Sequence, residues 1–121
     1  MSTIRWADSR GDAWLEPFSA AAVRIGVKGF LSTSIARDLG AALARELRPS
    51  ARRHVFVDFE GLSAYDRGAR FALMRALDGK VAVHVLLADR DGGREIAHRI
   101  LACEVELFGE RSTFERALSR R

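Results

Sequence analysis

The side chains able to do chemistry fall in three short stretches that follow apolar runs: Ser32, Thr33 and Ser34; then Glu60, Ser63, Tyr65, Asp66 and Arg67; then Asp89, Arg90, Asp91, Gly92 and Gly93. Ser, Asp and Gly are also what turns and helix starts require, so each stretch is weighed against a definite reaction. Asp58, Asp89 and Asp91 near strand ends would suit a phosphoaspartate switch. The first strand, however, ends without an acidic pair to hold magnesium, and no lysine follows the last strand. Gly92 and Gly93 at a helix start could cradle an anion on backbone N–H groups, but Asp89 and Asp91 would repel it. Neither GxxxxGKS/T nor GxGxxG is present to strengthen the idea.

Metal and nucleophile chemistry fare no better. His54, His84 and His98 sit on or between apolar runs without Cys or His neighbours at ligand spacing, so they read as core or surface histidines and no metal or cofactor is expected. Cys103 follows Leu101 and Ala102 and reads as a buried thiol, and Ser63 has no histidine partner in sequence. The chain is therefore expected not to be an enzyme. Arg48, Arg52 and Arg53 form a basic turn around Pro49 that could meet an acidic partner or a phosphate backbone, although a solvated loop is the expectation.

These stretches need a frame. Residues 2 to 18, with Trp6 and Trp14 flanking Asp8, Ser9, Arg10, Gly11 and Asp12, read as a hairpin or a strand and turn. Val23, Ile25 and Val27 alternate with polar residues, which predicts a half-exposed edge or outer strand. After Gly29, the triplet Ser32 to Ser34 offers N-caps for a helix with Ile35, Leu39, Leu43 and Leu47 at spacings of four, stopped by Pro49. His54 to Phe59 is a nearly unbroken apolar run, the signature of a central strand covered on both faces. Gly61 to Asp66 is turn-like, and the next helix carries Ala69, Leu73 and Leu77 with Phe71 and Met74 beside them, closed by Asp78 and Gly79. Val81 to Leu87 is a second buried strand, followed by a helix bearing Ile96 and Ile100. Glu104 to Phe108 alternates again, and Ser112 with Glu115 has the spacing of a capping box opening a last helix that packs through Phe114, Ala117 and Leu118. Alternating strands and helices imply a largely parallel sheet with right-handed crossovers.

Composition narrows the setting. A chain of 121 residues, 48% hydrophobic and 30% charged, fits one domain able to bury a core. One cysteine excludes an intrachain disulfide, and no run approaches the ~18 apolar residues of a membrane span. The N-terminus lacks a signal-peptide core, so the expectation is a cytoplasmic protein. All but two of the 20 basic residues are arginine, Lys28 and Lys80 being the exceptions, a skew that fits a GC-rich genome. The net charge of +4 comes with 16 interleaved acidic residues, so no nucleic-acid partner is expected.

From His54 to Leu77, HVFVDFEGLSAYDRGARFALMRAL, the sequence resembles the central element of STAS domains, the family of anti-sigma factor antagonists and of the cytoplasmic tails of sulfate transporters. The resemblance extends more weakly from about Val23 to Leu118. In that family a buried strand leads into a loop of leucine, polar, x, aromatic or apolar and aspartate, then a Ser-Ser-Gly or close relative opening a helix. The matching residues are Leu62, Ser63, Ala64, Tyr65, Asp66, Arg67, Gly68 and Ala69. The family's phosphorylated serine falls on Gly68 and the preceding serine on Arg67, so the resemblance implies a member without the usual switch and no phosphorylation at that position. Arg67 instead fixes a positive charge where phosphate would add negative charge. Ser63 reads as a cap for the following turn, with Asp66 three residues on.

The expected fold is α/β, a STAS-like single domain over residues 1–121 with its core at about 22–119. Its sheet is mixed and mostly parallel, with four to five strands and about four helices, and residues 1–21 form an N-terminal strand or hairpin. The expected function is a non-enzymatic interaction module docking a protein partner through Ser63, Tyr65, Asp66, Arg67, Gly68 and Arg70, Arg70 lying four residues after Asp66 on one helical face. The alternatives are a small-ligand or lipid binder using Phe71, Met74 and Ile100, and an anti-sigma factor antagonist. Homodimerisation is left open, as is whether Trp6 and Trp14 anchor an interface or cover the core.

Overall fold

The computed structural model describes residues 3–48, 52–77, 81–87, 97, 99 and 105–121. In chain order the elements are β1 (Ile4–Ala7), β2 (Gly11–Pro17), β3 (Ala22–Leu31), α1 (Thr33–Leu47), β4 (His54–Tyr65), α2 (Arg67–Ala76), β5 (Ala82–Leu86), β6 (Val105–Phe108) and α3 (Arg111–Ser119). The strands form one sheet in the order β1-β2-β3-β4-β5-β6, antiparallel from β1 to β3 and parallel from β3 to β6.

Alternation within the strands builds two cores. Val23, Val55, Val83 and Val105 stand side by side across four strands, and Ile25, Val57, Val85 and Leu107 form the next row. This face packs against Ile35, Leu39, Leu43 and Leu47 of α1 and Ala69 and Leu73 of α2. Each parallel crossover steps one strand in the same direction, so right-handed connections place α1 and α2 on the same face. The residues between them on the strands point to the opposite face, where Ala22, Phe56 and Leu86 meet Phe114 and Leu118 of α3.

Among the described residues six strands replace the four to five expected, and there are three helices rather than about four. The helix expected around Ile96 and Ile100 lies outside the described residues apart from Ala97 and Arg99, which are helical, with Ala97 fully buried. Asp78, Gly79, Cys103, His98 and the stretch from Asp89 to Gly93 also fall outside them. β3 is interior rather than an edge: the β1–β2 hairpin continues the sheet beyond it, which periodicity within one strand does not reveal. Trp6 packs against the main core while Trp14 lies across Gly26 on the other face, so both rings cover the sheet.

Gly61–Tyr65 is not a turn. It prolongs β4 because Lys28–Leu31 offers a parallel partner, with register shifts between Gly26 and Lys28 and between Gly29 and Phe30. A neighbouring strand supplies hydrogen bonds that local composition does not anticipate. The Ser112–Glu115 capping box is also absent. The N-cap of α3 lies two residues earlier, at Glu110, which makes no side-chain cap bond, because Glu115 is drawn to Arg24 of β3, 3.0 Å from Nη1.

Candidate functional site: the edge where two helices begin

The carboxyl ends of β3 and β4 and the first turns of α1 and α2 meet at one edge. Gly29, at φ +81°, turns β3 past the hairpin, where the Phe30 N–H donates to the Arg10 carbonyl at 3.1 Å and the Arg10 guanidinium lies 4.0 Å over the Phe30 ring. The Asp8 carboxylate accepts the N–H groups of Arg10 at 2.9 Å and Gly11 at 3.0 Å. The Arg10 N–H, then the Ser32 hydroxyl and the Gly11 N–H, hold Asp8 below the usual carboxylate range. Ser32 is buried and caps α1, accepting from the Ile35 N–H at 3.2 Å.

Asp66 is the N-cap of α2, not Ser63, and it does not cap its own helix with its side chain. Its N–H donates to the Leu31 carbonyl at 3.0 Å, which welds the end of β4 to the end of β3. Its Oδ2 accepts from the Thr33 N–H at 3.1 Å and from the Thr33 hydroxyl at 3.4 Å. One carboxylate thus lies between two helix N-termini, satisfying an orphan donor of α1 and meeting the positive end of both dipoles. Gly68 faces the same threonine: a Cβ at that position would stand 2.6 Å from Thr33 Oγ1 and 2.8 Å from Cγ2.

The remaining expected residues divide by exposure. Ser63, Ala64 and Arg67 are exposed, and Tyr65 is half-buried against the main core. Arg70 does not pair with Asp66, whose Oδ2 serves Thr33. Its Nε is buried without a hydrogen-bond partner among the described residues, and its guanidinium lies 6.0 Å from the Phe71 ring centroid. The Asp66–Thr33 link spans 33 residues; the sequence signal is only that both positions end neighbouring strands.

The opposite face holds a second polar group. Asp58, 5% exposed, accepts from Arg111 Nη2 at 2.9 Å and, through Oδ1, from the Glu60 N–H at 3.1 Å. Arg111 also reaches Glu60 at 3.1 Å, and bonds to these two carboxylates push its guanidinium pKa further up. His84, 6% exposed, stacks on Phe56 with centroids 4.3 Å apart. Its Nδ1 lies 2.7 Å from Glu106 Oε1 and its Nε2 lies 3.1 Å from His54 Nδ1. Among the described residues no three His, Cys, Asp or Glu side chains gather as a metal site. Arg52, from the expected basic turn, bonds Glu46 at 2.8 Å and the Ser19 carbonyl at 2.9 Å. No helix is long and apolar enough to cross a membrane among the described residues.

No family model matches the sequence, and no curated protein matches it. Solved structures do. The anti-sigma factor antagonist SpoIIAA in its unphosphorylated form aligns with a TM-score of 0.67 at 19% identity, over 88% of this chain and 94% of that one. This chain has a STAS-like fold. The Bacillus cell fate determinant SpoIIAA in its phosphorylated form aligns with a TM-score of 0.59, also at 19% identity, over 85% of this chain and 96% of that one. In this STAS-like domain the strand, the aspartate and the helix start of the expected motif are in place, while the position expected for the family serine is Gly68, packed against Thr33.

Proposed function

We propose that the chain is a non-enzymatic regulatory module that docks a protein partner through the end of β4 and the start of α2. The carrying observation is the division of labour at that edge. Asp66, Thr33 and Gly68 are committed to one another, whereas Ser63 and Arg67 stand exposed beside them on a rigid base. Side chains presented to solvent by a fixed backbone suit recognition at low ordering cost. The fold shared with an anti-sigma factor antagonist supports a regulatory role of that kind, exercised without a phosphoserine at position 68.

Affinity capture of the tagged protein from its native cells, beside Arg67→Glu, tests the reading. The variant should lose a protein that wild type retains, with a circular dichroism melt near that of wild type, because Arg67 is exposed. Identical captures from both proteins would remove this edge as the docking face.

A further inference from the structure

Beside this edge α1 and α2 run in the same direction, and the seam between them opens as a groove of about 430 Å³. Its α1 wall shows Thr33, Arg37, Ala41, Ala44 and Arg48, spaced as one helical face. Its α2 wall contributes Phe71 and Arg75. Phe71 is 54% exposed, the most exposed large hydrophobic side chain among the described residues. Arg37, Arg48 and Arg75 are exposed, and none makes an ion pair among the described residues. Among the described residues no acidic side chain lines the groove. Of the acidic residues on α1, Glu46 is engaged by Arg52 and Asp38 is not part of the lining.

From Thr33 to Arg48 the groove runs about 22 Å at 1.5 Å per residue, roughly four helical turns. Two helices side by side present ridges into which a third can lay its own. The cations lie at both ends, with Arg37 and Arg48 about 16 Å apart along α1, and the apolar anchor, Phe71, lies on the α2 wall. We infer that this groove receives an acidic amphipathic helix of the partner protein, its apolar stripe on Phe71, Ala41 and Ala44 and its carboxylates on Arg37, Arg48 and Arg75. The inference rests on the docking reading above and names the chemistry of the partner. Apolar anchors read at helical spacing set affinity in such grooves, and charge complementarity sets orientation and encounter rate.

The experiment places a photo-crosslinking amino acid at Ala41, exposed on the groove wall, in the full chain, and irradiates it in native-cell lysate before sequencing the crosslinked peptide. The expected peptide is acidic, with apolar residues at intervals of three and four. Its yield should fall at least tenfold in Arg37→Gln/Arg48→Gln/Arg75→Gln and in Phe71→Ser, and persist in the triple Arg→Lys variant, which keeps the charge. Circular dichroism melts of every variant separate lost binding from lost folding. A neutral or basic peptide, a crosslink to a second copy of this chain or to anionic lipid, or a yield unchanged in the triple Gln variant would overturn the inference. Capture that depends on Arg67 but gives no crosslink from Ala41 overturns the groove and leaves the docking reading standing. No captured protein in either experiment would overturn both.

Discussion

Gly68→Ser places a hydroxyl where the resemblance to STAS domains leads one to expect it, and the structure predicts that it damages the fold. Gly68 is the second residue of α2, and the Cβ that Gly68→Ser introduces lands 2.6 Å from Thr33 Oγ1 and 2.8 Å from Thr33 Cγ2. Both atoms belong to a short branched side chain tied to Asp66, so they cannot swing away as the end of a long one would. Overpacking of this kind costs about 1–3 kcal/mol, offset by about 0.5 kcal/mol from the better helix propensity of Ser over Gly. Gly68→Ser should therefore lose about 0.5–2.5 kcal/mol, lowering the melting temperature by roughly 4 °C per kcal/mol for a domain of this size.

The cause can be isolated. Thr33→Ala removes both colliding atoms and leaves the Thr33 Cβ, 3.3 Å from the new group, a contact that a shift of a few tenths of an ångström relieves. Alone it should cost about 1 kcal/mol for the lost hydroxyl bond to Asp66, while the backbone N–H bond at 3.1 Å survives. The double variant should then be more stable than the sum of the singles by about 1 kcal/mol, measured by urea unfolding of the four proteins. A Gly68→Ser protein as stable as wild type, or a cycle additive to within about 0.3 kcal/mol, would refute the packing argument.

Two further outcomes follow from the opposite face. Arg111→Ala strands the buried Asp58 carboxylate, and although half-exposure of the arginine weakens the pair, stability should fall by about 1–3 kcal/mol and be partly restored by adding Asp58→Asn, read by chemical denaturation. Burial, then the charges of Arg121 and His84, hold His54 below the ordinary histidine pKa of about 6.5; the unfolded chain takes up the proton more readily, so its contribution is complete above about pH 6.5 and is lost as pH falls toward the lower folded value. The melting temperature should accordingly drop between pH 7 and pH 5, and less in His54→Gln; equal drops in both proteins would exclude His54 as a source.

Where a residue's neighbours lie in its own element, the sequence was a good guide. The spacing of Ile35, Leu39, Leu43 and Leu47 marks the buried stripe of α1, and the unbroken run of β4 marks an interior strand. The expectations that failed depend on partners far along the chain. Gly61 to Asp66 reads as a turn until Lys28–Leu31 is placed beside its first five residues, and the capping box at Ser112 dissolves because Glu115 meets Arg24, 91 residues away. The second core under α3 was legible only as Phe114, Ala117 and Leu118; its other wall, Phe56 and Leu86, sits on alternate positions of strands that read as uniformly apolar. The residues proposed for docking were singled out through the motif, but their division into side chains bonded to one another and side chains left exposed was not legible, since Thr33 enters it from another element.

That division changes what the motif signifies. An aspartate at the end of a strand and before a helix, in a chain resembling STAS domains, invites a reading in terms of a phosphate it would serve. Here Asp66 has a sufficient occupation without one: it closes the strand pair through Leu31, supplies Thr33 with an acceptor and places negative charge between two helix N-termini. Each of these acts on the stability of the edge and none requires a neighbouring serine. An aspartate here and a glycine at position 68 are therefore compatible, and the aspartate is evidence for how the edge is built. Evidence for what the edge meets has to come from side chains turned to solvent, among them Ser63, Arg67 and, along the α1–α2 groove, Arg37, Arg48, Phe71 and Arg75.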